Sequence, residues 1–226
     1  MRRVPHAKGE AGRGKGKVSV TAAEWPRLRQ KVLNRDKYTC RYCGFRAGKF
    51  QRVHFKLGQQ AAPTLDNLAT ACVFCEQCFE LESVANMDSG LLIWLPELSQ
   101  AELNHFARAL YVARQQEDKD PELARRAQAA IDQLISRRSE AKRRLGTDEP
   151  ILLATAMTEQ LNDTAYDART ERLDGIRLLP FGRRLVVNDD GQQDQFPRIL
   201  SYWMSREGPF GQYKTEDWAK LLPATA

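Results

Sequence analysis

The order of apolar and polar positions breaks the chain into short elements. Over residues 21–34 the apolar Trp25, Leu28, Val32 and Leu33 recur at helical intervals, and TAAE at 21–24 offers a capping box, although Pro26 blurs the helix start. TCRYCGF then sets two cysteines on a tight knuckle, and the alternation in FQRVHFKLG predicts a strand. A loop through Pro63 leads into NLATACVFCEQCFELESV, whose cysteine pair opens a short helix. After Gly90, LLIWLP predicts a buried strand, and SQAE, with Ser99 and Glu102 at its ends, caps a helix over ELNHFARALYVARQQ. Asp120 and Pro121 start a long helix that ends near Gly146, with Leu123, Ala127, Ala130, Ile131 and Leu134 on its apolar face. A third helix follows Pro150. IRLLP and RRLVV predict a hairpin turning at Phe181 and Gly182, and FPRILSYWMSR and TEDWAKLL place Trp203 and Trp218 on short helices joined through GPFGQY. The sum is an α+β fold, mainly α.

Composition narrows the class. With 226 residues, 42% of them hydrophobic and 28% charged, 14 Gly and 10 Pro, the chain is neither collagen-like nor low-complexity, and it can bury a core. Its apolar runs fall short of the roughly 18 residues of a membrane span, and no apolar stretch of signal-peptide type follows the first arginines, so the cytosol is the expected compartment. Charge is unevenly placed. Residues 1–56 carry sixteen Lys or Arg against Glu10, Glu24 and Asp36, a net of +13, so the remainder carries −7 of the total +6. Residues 1–17, rich in Gly, Lys and Arg, bury too little to offset their ordering entropy and are expected to be a disordered basic tail. Such a basic N-terminal region suits a polyanionic or acidic partner, DNA among them; a solvated tail with ordinary surface lysines is the plainer alternative.

Four of the five cysteines form two pairs with two-residue spacers, Cys40 with Cys43 and Cys72 with Cys75. That spacing lets both thiolates of a pair point into one tetrahedral corner, and two pairs close a structural zinc site with no open position. One structural zinc is therefore expected; two disulfides or buried free thiols are the alternative, which a cytosolic setting disfavours. Cys78, three residues after Cys75, is one helical turn along, where it packs as a small hydrophobe, contacts the site or substitutes for a ligand.

The succession of knuckle, strand with His54, loop with Asp66 and Asn67, and a cysteine pair opening a helix resembles the ββα-metal finger of HNH endonucleases. The resemblance implies that His54 stands where the general base stands and Asn67 where an asparagine positions it. The catalytic metal ligands depart from that pattern: Val53 occupies a place usually acidic or histidine, and Glu76 one often histidine or asparagine. Glu76 alone offers an oxygen, so catalytic residues are not expected, and His54 with Asn67 would carry the chemistry only if the chain were a metal-dependent DNA nickase. Over a longer span, VHFKLG, NLATACVFCEQCFELESV, SGLLIWLPELSQAELNHFARALYVAR, SRRSEAKRRLGTDEP and the YW and GPF of the C-terminal part resemble the IcmJ/DotN family of type IVB secretion. That resemblance implies a non-enzymatic accessory subunit with an HNH-like zinc fold, held on the C-terminal tail of a coupling ATPase at the inner membrane, with effector proteins or conjugative DNA as cargo. The basic segment before Thr21 is not covered by it. The expected organisation is a tail over 1–17, an HNH-like zinc-binding domain over 18–88 and a mainly helical body with a small hairpin over 89–226.

Other candidates have plainer readings. Asp189 and Asp190 in NDDG read as turn chemistry rather than paired catalytic carboxylates. His105 has no second ligand at helical spacing. Arg125, Arg126, Arg137 and Arg138 suit phosphate contacts or an ordinary charged helix face. Trp94 reads as core, whereas Trp203, Trp218, Phe210 and Tyr213 fit either a core or an interface anchor.

Overall fold

The computed structural model describes residues 21, 23–57, 62–188, 191–214 and 216–217. The tail over 1–17, Asp189 with Asp190, and Trp218 lie outside these. The fold is α+β, with small antiparallel strand pairs among the helices, and contacts divide the chain into two units, Met1–Phe79 and Glu80–Ala226. Among the described residues no helix is long and apolar enough to cross a membrane.

The first unit begins with α1 (Trp25–Arg35), entered through reciprocal hydrogen bonds in which Glu24 N–H donates to Thr21 Oγ1 and Thr21 N–H to the Glu24 carboxylate. Val32 and Leu33 bury its inner side. The knuckle follows, then β1 (Arg52–Phe55) and β2 (Leu68–Ala71), antiparallel with His54 opposite Ala69 and Phe55 opposite Leu68. Alternation along β1 turns Val53 and Phe55 to one face and Arg52 and His54 to the other. Phe55 stacks on Trp25 of α1 at 5.7 Å, and α2 (Val73–Gln77) completes the unit.

The second unit is organised by β3 (Gly90–Trp94), which follows α3 (Leu81–Asn86). α4 (Gln100–Arg114) starts at a capping box of Ser99 and Glu102, and α5 (Pro121–Ser136) at Asp120, whose carboxylate accepts from Leu123 N–H. The expected single helix to Gly146 is broken: α6 (Arg138–Leu145) starts anew after Arg137. The Arg137 carbonyl accepts from Trp94 N–H at 3.3 Å as well as from Ala141 N–H at 3.4 Å, and its guanidinium pairs with Glu97, so the junction of the two helices is tied to β3. Gly146, with φ of 77°, closes α6 in the left-handed conformation. α7 (Pro150–Thr155) runs on through a π-helical turn, and α8 (Asp163–Asp167) and α9 (Arg169–Arg172) are short.

The expected hairpin is also displaced. β4 (Ile176–Pro180) pairs antiparallel with β3, and β5 (Leu185–Asn188) pairs instead with β6 (Gly191–Asp194). IRLLP is buried along nearly its whole length and needs an equally apolar partner, which LLIW supplies; the exposed Val187 and Asn188 suit a solvated ribbon. α10 (Phe196–Met204) then brings Phe196, Ile199, Leu200 and Trp203 into the core with Leu103, Leu110 and Tyr111 of α4.

Trp94 is half-buried, with the Arg144 guanidinium 3.6 Å from its ring centre and Gly175 on it. Gly175 has φ of +80°, and a Cβ there would lie 2.3 Å from Trp94 Cζ3. Gly175→Ala therefore adds backbone strain to overpacking and is expected to cost about 2 kcal/mol or more, read as a lower urea midpoint with unchanged slope.

Candidate metal centre

The knuckle is built by local reversals. α1 ends at Asp36; Lys37 and Tyr38 take left-handed φ of 52° and 54°, and the chain returns as a narrow ribbon in which Thr39 pairs with Arg46. Cys40 N–H donates to Phe45 O and Gly44 N–H to Cys40 O, both at 2.9 Å, and Gly44 supplies the positive φ the turn requires. Two buried polar side chains brace this shape. Gln51 Nε2 donates to Tyr38 O and Phe45 O on opposite arms of the ribbon. Asp36 accepts from Thr70 N–H on β2 and pairs with Arg35, while Arg41 N–H donates to Thr70 O. Burial raises the pKa of Asp36, but the Arg35 guanidinium and the Thr70 N–H outweigh it and hold the carboxyl below its ordinary value.

β2 delivers the second pair. Cys72 is the N-cap of α2, its Sγ accepting from Cys75 N–H at 3.4 Å, so both sulfurs stand on one turn. The four cysteines 40, 43, 72 and 75 are not joined in disulfides, three are buried and Cys43 is half-buried, and their sulfurs all lie within 4.8 Å of one another. Cys43 and Cys72 Sγ are 3.8 Å apart, and sulfurs about 2.3 Å from a tetrahedral ion would be about 3.8 Å from each other. The thiols titrate together. Contact with Cys43 opposes ionisation of Cys40, those with Cys72 and Cys75 favour it, and the result lowers Cys40 to about 7; contacts with the other three thiols, together with burial, push Cys75 up. One thiolate forms readily, whereas four in this volume need a cation. These residues can hold a metal ion, and all-sulfur ligation suits a soft or borderline one.

The remaining candidates fall around this cluster. His54 is buried, stacked on Phe79 at 4.3 Å and set edge-on to Tyr42, and its Nε2 has no hydrogen-bond partner. Burial pushes its imidazole below the ordinary histidine value against the opposing charge of Glu76. Asn67 is buried too, but its amide accepts from Leu57 N–H and donates to Ala62 O, which holds the loop rather than His54. Glu76 accepts from Arg52 Nε at 2.9 Å, and Cys78 Sγ donates to Phe74 O, so neither belongs to the group of four. Tyr42 and Phe79, which enclose His54, carry no spacing signal in the sequence, nor does Gln51.

The other candidates lie in the second unit. Arg125 pairs with Glu122, Arg137 with Glu97 and Arg138 with Asp148, while Arg126 is half-buried. His105 is exposed on α4. Trp203 is in the core; Phe210 meets it edge-on, and Tyr213 is exposed.

No protein-family model matches the chain. Among curated proteins, the type 4 apparatus protein DotN of Legionella pneumophila is 36% identical over 153 residues, which cover 67% of this chain and 71% of the relative.

If the four sulfurs ligate one ion, cobalt(II) added to the metal-free protein will give the visible absorption of a tetrahedral thiolate site at one equivalent. Cys43→Ser is expected to lose that spectrum's intensity and Cys78→Ser to keep it.

Proposed function

The chain belongs to the IcmJ/DotN family of Dot/Icm type IVB secretion, and from that membership we propose a metal-bearing, non-enzymatic accessory subunit of a type IV secretion or conjugation coupling complex. In this reading it binds the C-terminal tail of the coupling ATPase and assists substrate recruitment. It works in the cytoplasm and reaches the inner membrane through its complex. The observation that carries the proposal is the match to a type 4 apparatus protein across two thirds of both chains.

The ion is zinc, one per chain. Zinc has no geometric preference of its own, accepts four thiolates in a closed tetrahedron and, so ligated, structures a fold without activating water. The first unit then has the character of an HNH-like ββα zinc finger: β1 and β2 form the hairpin, α2 the helix, and the cysteine pairs join knuckle to helix.

Support for a role without catalysis lies around His54. Metal-assisted hydrolysis needs a base beside an open metal position with hard ligands. Val53 can ligate nothing, the Asn67 amide is committed to Leu57 and Ala62, and Arg52 covers Glu76. His54 packs between aromatic rings.

Two measurements test the proposal. Co-purification of the full chain with the ATPase tail is expected to survive deletion of residues 1–17 and to weaken when Cys40→Ser and Cys72→Ser remove the metal; no complex with the intact protein would overturn it. Plasmid nicking in magnesium, manganese or nickel is expected at background, and metal-dependent nicking abolished by His54→Ala would establish a nuclease instead.

A further inference from the structure

Residues 37–65 contain no Asp or Glu and six cations, Lys37, Arg41, Arg46, Lys49, Arg52 and Lys56. Arg52 is paired with Glu76. Lys37, Arg41, Arg46 and Lys49 all lie on the ribbon that presents Cys40 and Cys43, and all four are exposed. Among the described residues Lys37, Arg41 and Arg46 make no ion pair, and the neighbouring acid, Asp36, is committed to Arg35 and Thr70 N–H. Three cations are thus held toward solvent on a backbone that the Cys40–Phe45 and Thr39–Arg46 pairings, Gln51 and the cysteine cluster all fix.

What stands between them selects the partner. On the ribbon Phe45 and Ala47 are buried, the half-buried Tyr42 packs on His54 and Phe79 and the half-buried Tyr38 accepts from Gln30, and the exposed large apolar side chains of the described residues, Leu57, Leu65, Leu152, Val187 and Tyr213, all lie elsewhere. A protein segment binds through buried aromatic or aliphatic anchors, which this surface does not offer. A phosphate backbone needs only cations at fixed positions.

We propose that the ribbon over residues 37–49 is a nucleic-acid surface that contacts the phosphate backbone of a DNA duplex through Lys37, Arg41 and Arg46 without reading sequence. This role is separate from the adaptor reading and stands whether or not the ATPase tail is the partner. A rigid ribbon holds its charges in place before contact, so ordering them on binding costs little.

The test is fluorescence anisotropy of the full chain with short fluorescein-labelled DNA duplexes of two unrelated sequences, from about 50 to 200 mM salt. Both duplexes should bind alike. The triple variant Lys37→Gln, Arg41→Gln, Arg46→Gln should bind about tenfold more weakly and flatten the slope of log K against log salt by about 2.7, since each phosphate contact contributes about 0.9. Residues 1–17 are present in both proteins and so cancel. Arg41→Lys with Arg46→Lys, which keeps the charge, should stay near the parent. Unchanged affinity and slope in the triple variant would overturn the proposal, as would a charge-conserving variant as weak as the triple. So would a loss in the triple variant seen only with polyglutamate or phosphatidylserine vesicles and not with the duplexes.

Discussion

Four sulfur atoms from two distant stretches of chain share one small, largely buried volume, and the first unit is arranged around that fact. As thiols they compete for protons; as thiolates they repel. A bound metal ion would resolve the conflict, and in doing so would close the loop between the pairs, whose entropy a unit of this size hardly offsets by packing alone. The secondary structure inside that loop has a delivery role. Antiparallel β1 and β2 return the chain so that Cys72 arrives beside the knuckle, and α2 begins there because Cys72 caps it. Asp36 and Gln51, both buried, fix the knuckle from behind with hydrogen bonds to backbone groups that would otherwise be left without partners.

The cluster also bears on His54. A histidine in this place resembles a catalytic base, yet its ring is a member of an aromatic group with Tyr42 and Phe79, and Asn67 serves the loop beyond β1. The same frame can carry a reactive site or simply hold two chain stretches together. In this chain Asn67 bonds backbone groups of Leu57 and Ala62, and Glu76 accepts from the Arg52 side chain.

Much of the local structure was legible in the sequence. The paired cysteines, the Ser99–Glu102 capping box and the Asp120–Pro121 start each rest on side chains within a few residues of one another, so spacing alone discloses them. What escaped was non-local. Nothing near IRLLP says that it pairs with a strand more than eighty residues earlier, and adjacency favoured RRLVV as its partner. The junction at Arg137 is likewise tied to Trp94, outside the helices it joins. Among site residues, Cys40, Cys43, Cys72 and Cys75 were named from spacing, whereas the enclosure of His54 came only with the third dimension, because Tyr42 and Phe79 reach it from the knuckle and from the end of α2.

β3 shows a further consequence. One edge is paired to β4, and on the other Leu92 N–H donates to Asp148 O and Trp94 N–H to Arg137 O. A strand pair is ordinarily open on both sides, but here two single carbonyls, brought by the junction of α5 with α6 and by the turn before α7, take the place of a third strand. β3 is therefore an interior strand without a third strand beside it. Its amides are shielded from hydrogen exchange on both sides, and the edge that might have templated pairing with another chain is closed by loops.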